Sequence, residues 1–300
     1  MPNNLSSGKM KGVILGILGI LILSPDTLII RLVDVNPWNF LAWRGALMTI
    51  GMVIVLLFIY GRRFLKVLLS IGWLGILIAV IFSLNTVFFQ LSVQTTTVAN
   101  TLVIIATAPL FAGIMSVLFL RERVHTRTWI AIAISIMAVS LVFAGKLDPG
   151  HLFGNLAALI SAIGLGAHFV LVRLGREVDM TPAIGIASLF TCFIGFAMAP
   201  GLYLIPSQLG YLALLGIILL PASFVLLTRA PLYISAPEVS LILLLETILA
   251  PIWVWLVIKE QPPVETIIGG SIIIITLAIH AWLGRKDDTD LSITDTSPLG

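Results

Sequence analysis

The chain has 300 residues, of which 59% are hydrophobic and 10% charged, whereas soluble domains carry roughly 25% charged residues. Together with a mean hydropathy of +1.13, this shortage of charge excludes a water-soluble globule and predicts an integral membrane protein. The formal net charge is +3, and the single cysteine, Cys192, excludes a disulfide framework or a cysteine-based metal site.

The apolar stretches predict the transmembrane helices. A spanning helix needs about 20 apolar residues, and the sequence divides into about ten such stretches. In chain order they lie near 12–32, 38–60, 66–89, 97–119, 127–145, 152–174, 182–204, 209–229, 238–258 and 264–283. Turn signals such as Asn36-Pro37 and Pro206-Ser207 separate them. We therefore expect an all-α integral membrane protein with ten transmembrane helices.

The two ends of the chain differ from these spans. The first span follows Lys9 and Lys11, as a signal peptide would, but it ends at Arg31 without a small-residue cleavage site. We predict that it is retained, behind a cytoplasmic N-terminus at 1–11. The last segment, 285–300, carries four Asp, repeated Ser and Thr, and Pro298, which predicts a disordered cytoplasmic tail.

The distribution of Lys and Arg predicts the orientation, because an excess of these residues marks cytoplasmic loops. With the N-terminus inside, the cytoplasmic side collects Lys9, Lys11, Arg62, Arg63, Lys66, Arg121, Arg123, Arg127, Arg173, Arg176, Arg285 and Lys286, and the outer side keeps Arg31, Lys146 and Lys259. Ten helices place both termini inside. The basic pI of about 9.2 is therefore a sign of topology, and no nucleic-acid partner is expected.

The two halves of the chain are similar in sequence. Pro109 followed by Arg121-Glu122-Arg123 corresponds to Glu246-Thr247 followed by Lys259-Glu260-Gln261, and the same shift of about 138 places lays Thr128 on Thr266. This predicts two repeats, helices one to five in 12–145 and helices six to ten in 152–284. Because each repeat has an odd number of helices, the second enters the membrane from the opposite side, which makes an inverted repeat.

This arrangement resembles the ten-helix drug/metabolite transporter superfamily, EamA type, over about 12–283. The resemblance is carried by Trp43-Arg44-Gly45, by Thr107-Ala108-Pro109 with Arg121-Glu122-Arg123, and by Leu245-Glu246-Thr247 with Lys259-Glu260. The family's ninth helix usually carries Glu-Pro, whereas this chain has Glu246-Thr247 and a proline displaced to Pro251. The resemblance implies a carrier with a central cavity lined by helices one to four and six to nine, with helices five and ten at the periphery.

Two opposite charges fall inside predicted spans. Asp26 lies about six residues inside the outer end of helix one, and Arg44 a similar distance inside helix two. At a rise of 1.5 Å per residue both lie about 9 Å deep, level enough to pair across adjacent helices. Two interpretations stay open: a binding site or proton-coupled gate, or a permanent ion pair that locks the two helices together.

Glu246 and His168 are the ionisable candidates in the second repeat. Glu246 is predicted near the midplane, where a carboxyl favours its neutral form and can carry a proton. The rival role is a protonated carboxyl that bonds across helices. His168 titrates in the useful range, although we favour a neutral imidazole bonded to a helix carbonyl.

Neutral polar residues and prolines complete the candidate site. Asn85, Asn100 and Thr107 are predicted either to line a cavity or to form hydrogen bonds between helices. We expect Arg229 to pair with Glu238 at the inner end of helices eight and nine. Glu122 and Glu260 lie in loops at helix junctions, where we favour helix capping over a gating contact. Prolines inside predicted spans, which we expect to kink helices and to allow gating, are Pro25, Pro109, Pro221 and Pro251.

The sequence predicts a secondary active transporter in the bacterial inner membrane. Its expected partners are the lipid bilayer and a small-molecule substrate, an amino acid or related amphipathic compound, moved with a proton or another ion, by a monomer or a homodimer. No cofactor or metal is expected. One alternative is an intramembrane enzyme, although the sequence has no His-Glu-x-x-His, Gly-x-Ser-x-Gly or Gly-x-x-x-x-Gly-Lys motif. The other is a channel or a structural membrane subunit.

Overall fold

The computed structural model describes residues 3–96, 98–142, 152–259 and 264–294. These ranges are mostly α-helical and contain no β-strand. The ten transmembrane helices are α1 (Asn3–Leu23 and Asp26–Val33), α2 (Pro37–Tyr60), α3 (Gly72–Thr95), α4 (Val98–Ile105 and Ala108–Met115, then a π-helical turn Ser116–Leu120), α5 (Thr126–Val142), α6 (Leu152–Leu174), α7 (Thr181–Met198), α8 (Pro206–Ala213, a π-helical turn Leu214–Leu219 and Leu220–Arg229), α9 (Ala236–Leu243 and Glu246–Ile258) and α10 (Val264–Thr294).

Length and composition agree with ten membrane-spanning segments. Eight of the helices are long and apolar enough to cross a membrane, and the shorter apolar stretches Thr126–Leu141 and Ile267–His280 belong to α5 and α10. Large apolar side chains such as Phe58, Leu118 and Phe193 are exposed on the outside of the bundle. A lipid solvent makes such exposure favourable and requires each backbone to satisfy its own hydrogen bonds, as helices do. The predicted all-α membrane fold is confirmed.

The two ends of the bundle differ in their connections. We call the end that carries the connections 61–71, 121–125, 175–180 and 230–235 the basic end, because it holds most of the Lys and Arg residues. The opposite end, with the connections 34–36 and 199–205 and the end of α9 at Ile258, is called the distal end. The two ends alternate along the chain, so the second repeat begins at the distal end and the first at the basic end.

The fourth helix of each repeat has the same irregular shape. α4 is interrupted at Ala106–Thr107 and α9 at Leu244–Leu245, 138 positions later. At both places hydrogen bonds from a residue to the third one before it tighten the chain, as from Thr107 N to Ile104 O and from Leu245 N to Ile242 O. Both helices then end in a left-handed basic residue, Arg121 with φ 53° and Lys259 with φ 66°. The inverted repeat predicted from the sequence is therefore also a structural one.

The four predicted proline sites differ in what surrounds them. Pro25 lies at the interruption of α1, and Pro109 is the second residue after the interruption of α4. Pro221 follows the π-helical turn of α8, so a wider turn absorbs the bend there. Pro251 differs from expectation, because α9 is continuous from Glu246 to Ile258 and is interrupted at Leu244–Leu245 instead.

The second helices of the two repeats, α2 and α7, pack with their backbones close together. A Cβ atom built on Gly45 would lie 2.6 Å from the backbone nitrogen of Cys192, and one on Gly195 would meet the backbone of Ala42. Only glycine allows this approach, as in other membrane helix pairs. α5 and α10 pack mainly against each other, with Thr128 Oγ1 3.0 Å from His280 Nε2.

The C-terminal segment differs from the sequence prediction. α10 continues as a helix to Thr294, although an irregular tail was expected from Arg285. No Gly or Pro interrupts residues 285–294, so the end of a long helix can propagate through this polar stretch. Residues 295–300, as well as Lys146, Glu260 and the 143–151 connection, lie outside the described residues.

Candidate functional site

A central cavity of about 160 Å³ lies between the two repeats. Its lining residues are Leu23, Asp26, Ile30, Arg44, Gly45, Met48, Phe82, Asn85, Thr86, Phe89, Ile105, Ser161, Leu165, Phe169, Ser188, Thr191, Phe224, Leu243 and Glu246. They come from α1–α4 and α6–α9, and no described residue of α5 or α10 is among them. This is the cavity position that the resemblance implied.

All three helix interruptions border this cavity. Leu23 and Asp26 flank the interruption of α1, Ile105 precedes that of α4, and Leu243 and Glu246 flank that of α9. Interrupted helices leave backbone groups without their usual partners, and a cavity is where such groups are tolerated at membrane depth. The folding of these three helices therefore positions the polar groups of the site.

Asp26 and Arg44 form a buried ion pair beside the cavity. Arg44 Nη2 lies 2.8 Å from Asp26 Oδ2, and the two side chains are only 13% and 10% exposed. The guanidinium also lies 6.0 Å from the ring centre of Phe40. Asp26 Oδ1 is buried and has no hydrogen-bond partner within the described residues. The pairing agrees with the sequence prediction, and the other carboxylate oxygen has no partner among the described residues.

Glu246 brings a second carboxyl to the same cavity. It is the first residue of the second segment of α9, directly after the interruption. Within the described part of the chain, no hydrogen bond or ion pair engages its side chain, in contrast to Asp26. The cavity therefore holds two carboxyl groups and one guanidinium, so its charge depends on whether Glu246 carries a proton.

The rest of the cavity has a polar and an aromatic part. Asn85 Oδ1 accepts a 2.7 Å hydrogen bond from Ser161 Oγ, which ties α3 to α6. Phe82 and Phe224 meet edge to face with ring centres 5.0 Å apart. Phe89 and Phe169 extend this apolar wall. A compact molecule with a charged head and an apolar body fits such a surface.

Three predicted site residues lie outside the cavity lining. Asn100 Nδ2 donates to Asn155 Oδ1 at 3.0 Å and so joins α4 to α6. Thr107 Oγ1 donates to Ile104 O at the interruption of α4. The ring of His168 is 4.7 Å from that of Phe82, and its Nδ1 has no hydrogen-bond partner among the described residues, so the carbonyl bond expected there is absent. These side chains support the helices around the cavity.

Several cavity residues were not predicted from the sequence. Ser161, Ser188 and Thr191 line it from α6 and α7. Ser188 and Thr191 each donate to a carbonyl of their own helix, Gly185 O and Ala187 O. Such hydroxyls are common anywhere in membrane helices, so no sequence signal distinguishes these three.

Ion pairs tie helices together at the basic end. Arg229 Nη2 lies 2.7 Å from Asp179 Oδ2, and Tyr60 donates to the same oxygen. These bonds join α8, the connection before α7, and the end of α2. Arg173 Nε lies 3.0 Å from Glu122 Oε1, and Arg173 Nη1 donates to Pro231 O at 2.7 Å. The second set joins α6 to the α4–α5 and α8–α9 connections.

These contacts correct two predictions. Arg229 pairs with Asp179 and not with Glu238, whose Oε2 instead accepts bonds from Ser235 N and Oγ at 2.9 Å. Glu238 thus caps its own helix, which satisfies it and leaves Arg229 to the nearer acid. Glu122, expected to cap a helix, pairs with Arg173.

Neutral hydrogen bonds to backbone carbonyls hold helices together at the distal end. Trp43 Nε1 donates to Leu202 O at 3.1 Å, and Gln208 Nε2 donates to Val33 O at 2.9 Å. Asn39 Nδ2 donates to Tyr203 O at 3.3 Å. The described contacts between these distal connections and the helices are therefore neutral, whereas ion pairs tie the connections at the basic end.

Asp179→Asn is expected to make the stability of the protein less dependent on acid pH. Burial raises the pKa of Asp179, but hydrogen bonds from Thr181 and Tyr60 and the charge of Arg229 more than offset it, so the pKa lies below its usual 3.8. A lowered pKa gives stability that is present above 3.8 and is lost as the pH falls through the folded-state value. The melting temperatures of Asp179→Asn and the wild type should therefore differ at neutral pH and converge as the pH falls below 3.8.

The control for this experiment is Glu177→Gln, an exposed residue of the same connection. Its melting curve should follow that of the wild type at every pH. A constant difference between Asp179→Asn and wild type across the range would contradict the role of the carboxylate.

Comparison with known proteins agrees with this architecture. The profile of the EamA-like transporter family matches residues 10–144 and 152–282, one match in each repeat. The chain belongs to the EamA-like transporter family. It is therefore a multi-pass membrane transporter, and its central cavity lies where the two family repeats meet.

Two known proteins are similar to this EamA-like transporter, one in sequence and one in fold. It is 33% identical over 87 residues to the "Uncharacterized transporter YetK" of Bacillus subtilis (strain 168), which is 27% of this chain. The match spans only 26% of that relative's length. A solved structure described as "Crystal structure of protein" superposes with a TM-score of 0.80 at 15% identity, over 92% of this chain and 98% of that one. At this identity the superposition supports the fold alone.

Proposed function

We propose that the protein is a secondary active transporter that moves a small organic metabolite, an amino acid or related amphipathic compound, by alternating access. The observation that carries this proposal is the central cavity, where three interrupted helices bring Asp26, Arg44 and Glu246 to one aromatic-walled space. Transporters typically bind their substrates near the midplane at such interruptions.

The charges of the cavity suit a zwitterion. Asp26 Oδ1 and the Glu246 carboxyl can accept hydrogen bonds from an ammonium group. Arg44 uses Nη2 for Asp26, and a guanidinium has five N–H donors, so others remain for a carboxylate. The cavity volume is close to that of an apolar protein cavity of about 150 Å³ that holds benzene. A compact amino acid whose apolar side chain faces the phenylalanines matches both size and charge.

Alternating access is supported by the inverted repeat. Because α4 and α9 are interrupted at equivalent positions in oppositely oriented repeats, each repeat can adopt the shape of the other. Ion pairs such as Asp179–Arg229 tie the basic end, whereas the distal end is held by neutral bonds to backbone carbonyls. The substrate would reach the cavity from the distal side in this state and from the basic side after the exchange.

We place the basic end in the cytoplasm. It carries Lys9, Lys11, Arg62, Arg63, Lys66, Arg121, Arg123, Arg127, Arg173, Arg176 and Arg229. α1 begins at this end and α10 returns to it, as the contact between Thr128 and His280 indicates. The positive-inside rule then puts both termini in the cytoplasm, with repeats over 12–145 and 152–284 in the inner membrane.

Ligand binding tests the site directly. A panel of α-amino acids, matched amines and matched carboxylic acids is screened for a rise in the melting temperature of the purified protein, because a ligand of the folded state stabilises it by mass action. Compounds with both charged groups are expected to stabilise most and to be transported into proteoliposomes. Absence of any stabilising compound in the panel would overturn the proposed substrate class.

Two asparagine variants localise the binding. Asn85→Ala removes an amide that lines the cavity and is expected to abolish the stabilisation by ligand. Asn100→Ala removes an amide that joins α4 to α6 and does not line the cavity, so it should lower the melting temperature without changing the ligand-induced shift. The reverse pattern would place the substrate elsewhere.

A further inference from the structure

A second cavity, of about 260 Å³, lies at the basic end and shares no lining residue with the central one. Its lining residues, which we call the basic vestibule, are Lys9, Glu122, Arg123, Val124, His125, Arg127, Thr128, Arg173, Tyr233, Ile234, Ser235 and Glu238. They come from the start of α1, the α4–α5 connection, the first turn of α5, the end of α6, and the α8–α9 connection with the first turn of α9. Both repeats therefore contribute to its walls.

The basic vestibule has an excess of positive charge. Four basic side chains and two acidic ones line it, which gives a formal charge of +2 without His125: Lys9, Arg123, Arg127 and Arg173 against Glu122 and Glu238. Both carboxylates already have partners in the protein. Glu122 Oε1 accepts from Arg173, and Glu238 Oε2 accepts from Ser235 N and Oγ. The net field inside the cavity is therefore positive.

This arrangement favours an anion with several oxygen atoms. Like charges gathered in a concave site repel each other more than they would on a flat, open surface, because less water screens them. A phosphate group relieves this repulsion and accepts paired hydrogen bonds from guanidinium groups. α5 begins at Thr126, and its first-turn residues Arg127 and Thr128 line the cavity, so the positive end of that helix adds to the attraction.

Membrane topology alone does not explain why these Lys and Arg residues gather around one cavity. The positive-inside rule requires only that Lys and Arg lie on the cytoplasmic side. Arg62 and Arg63 meet that requirement as exposed residues on the turn after α2, and they line neither cavity. The basic vestibule in contrast gathers its cations from separate elements around one concave, partly open space.

We propose that the basic vestibule binds a phosphate group and thereby holds the two repeats together at the basic end. The phosphate comes either from the headgroup of an anionic lipid or from a free phosphate ion, since both present the same chemistry to the arginines. Because α1 and the α4–α5 connection belong to one repeat and α6 and the α8–α9 connection to the other, a bound phosphate bridges them. Its binding stabilises the arrangement in which the basic end is closed.

The experiment compares two pairs of substitutions with equal loss of charge. Arg123→Gln with Arg127→Gln removes two cations of the basic vestibule, and Arg62→Gln with Arg63→Gln removes two exposed cations from the same end. Melting temperatures are measured in neutral detergent with inorganic phosphate, against sodium chloride at equal ionic strength. They are also measured in nanodiscs of phosphatidylcholine with and without phosphatidylglycerol.

Stabilisation by phosphate alone identifies a free ion as the source, and stabilisation by phosphatidylglycerol alone identifies the lipid headgroup. In either case the apparent affinity for the stabilising phosphate or lipid should fall at least about tenfold in the double variant Arg123→Gln with Arg127→Gln. The control variant, Arg62→Gln with Arg63→Gln, should behave like the wild type. Arg123→Gln alone, at an exposed position, should give an intermediate loss and serves if the double variant fails to fold. An equal response of both pairs, an equal shift in chloride, or no response to either source would overturn the proposal.

Discussion

Arg44→Ala is expected to lower the free energy of unfolding by about 3–5 kcal/mol, the usual cost of removing one partner of a buried ion pair. The substitution leaves Asp26 without the 2.8 Å contact that balances its charge, while its other oxygen already lacks a protein partner. Unfolding in a denaturing detergent, followed by circular dichroism, measures the loss. Arg63→Ala, at an exposed position of the α2–α3 connection, is the matched control and should change stability by less than about 0.5 kcal/mol.

The double variant Asp26→Asn with Arg44→Gln separates the two interpretations of this pair. It removes both charges but keeps side chains of similar size that can hydrogen-bond, so most of the lost stability should return. If the pair only locks α1 to α2, this stable variant also transports substrate. Under the proposed function it folds but binds the amino acid poorly, because Arg44 no longer offers a charge to the carboxylate. Failure to recover stability would mean that the two residues act separately.

The positions of the helices and the duplication of the five-helix unit could be predicted from the sequence. Lipid accepts only long apolar helices, so hydropathy locates them, and Arg121 and Lys259 mark equivalent helix ends 138 positions apart. The sequence did not locate the interruption of α9. Pro251 attracts attention because proline lacks an N–H, yet the chain tightens at Leu244–Leu245, where no proline lies. Only the equivalence with Ala106–Thr107 would have indicated that position.

The charged residues of the candidate site could be predicted from the sequence, whereas its neutral polar residues could be predicted only in part. A lone Asp26, Arg44 or Glu246 within an apolar span is costly, which is why these three stand out and why they meet at the cavity. Whether a neutral polar side chain faces the cavity depends on the rotation of its helix about the helix axis. Asn85 therefore lines the cavity, whereas Asn100, on the next helix, faces Asn155.

The partner of Arg229 at the basic end could have been predicted better from the sequence. Ser235 and Glu238 have the spacing of a capping box, which predicts that Glu238 is occupied by its own helix. Arg229 then needs another acid, and Asp179 is in the α6–α7 connection at the same end. Sequence proximity suggested the wrong partner because a helix cap competes for the carboxylate.

A hydrogen bond links α9 to the interruption of α1, and the charged residues Asp26 and Glu246 lie next to the interruptions of these two helices. Trp253, in the second segment of α9, donates its indole N–H to Ser24 Oγ at 2.8 Å, next to the interruption of α1. Asp26 and Glu246 each begin the helical segment that follows an interruption. Under the proposed function, a change in the protonation of Glu246 would act next to the interruptions of both α9 and α1, and we propose that this couples a proton to a movement of these helices.

Glu246→Gln is accordingly expected to reduce proton-driven accumulation of substrate in proteoliposomes to roughly the level of passive leak. Gln has the shape of the carboxyl but binds no proton, and within the described residues no ion pair or hydrogen bond is lost with it. Stability should therefore change by less than about 1 kcal/mol. Exchange of labelled for unlabelled substrate, which needs no net proton movement, should continue but without its dependence on pH.

Glu177→Gln is the control for the charge, because that carboxyl is exposed in the α6–α7 connection and should leave both assays as in wild type. If Glu246 instead serves as a neutral group that bonds across helices, Gln replaces it in that role and the pH dependence of transport stays as in wild type. Such a result would remove Glu246 as the proton carrier while leaving the cavity as the substrate site. Loss of exchange together with accumulation would show instead that Glu246 is required to bind the substrate itself, since exchange depends on binding and not on the proton gradient.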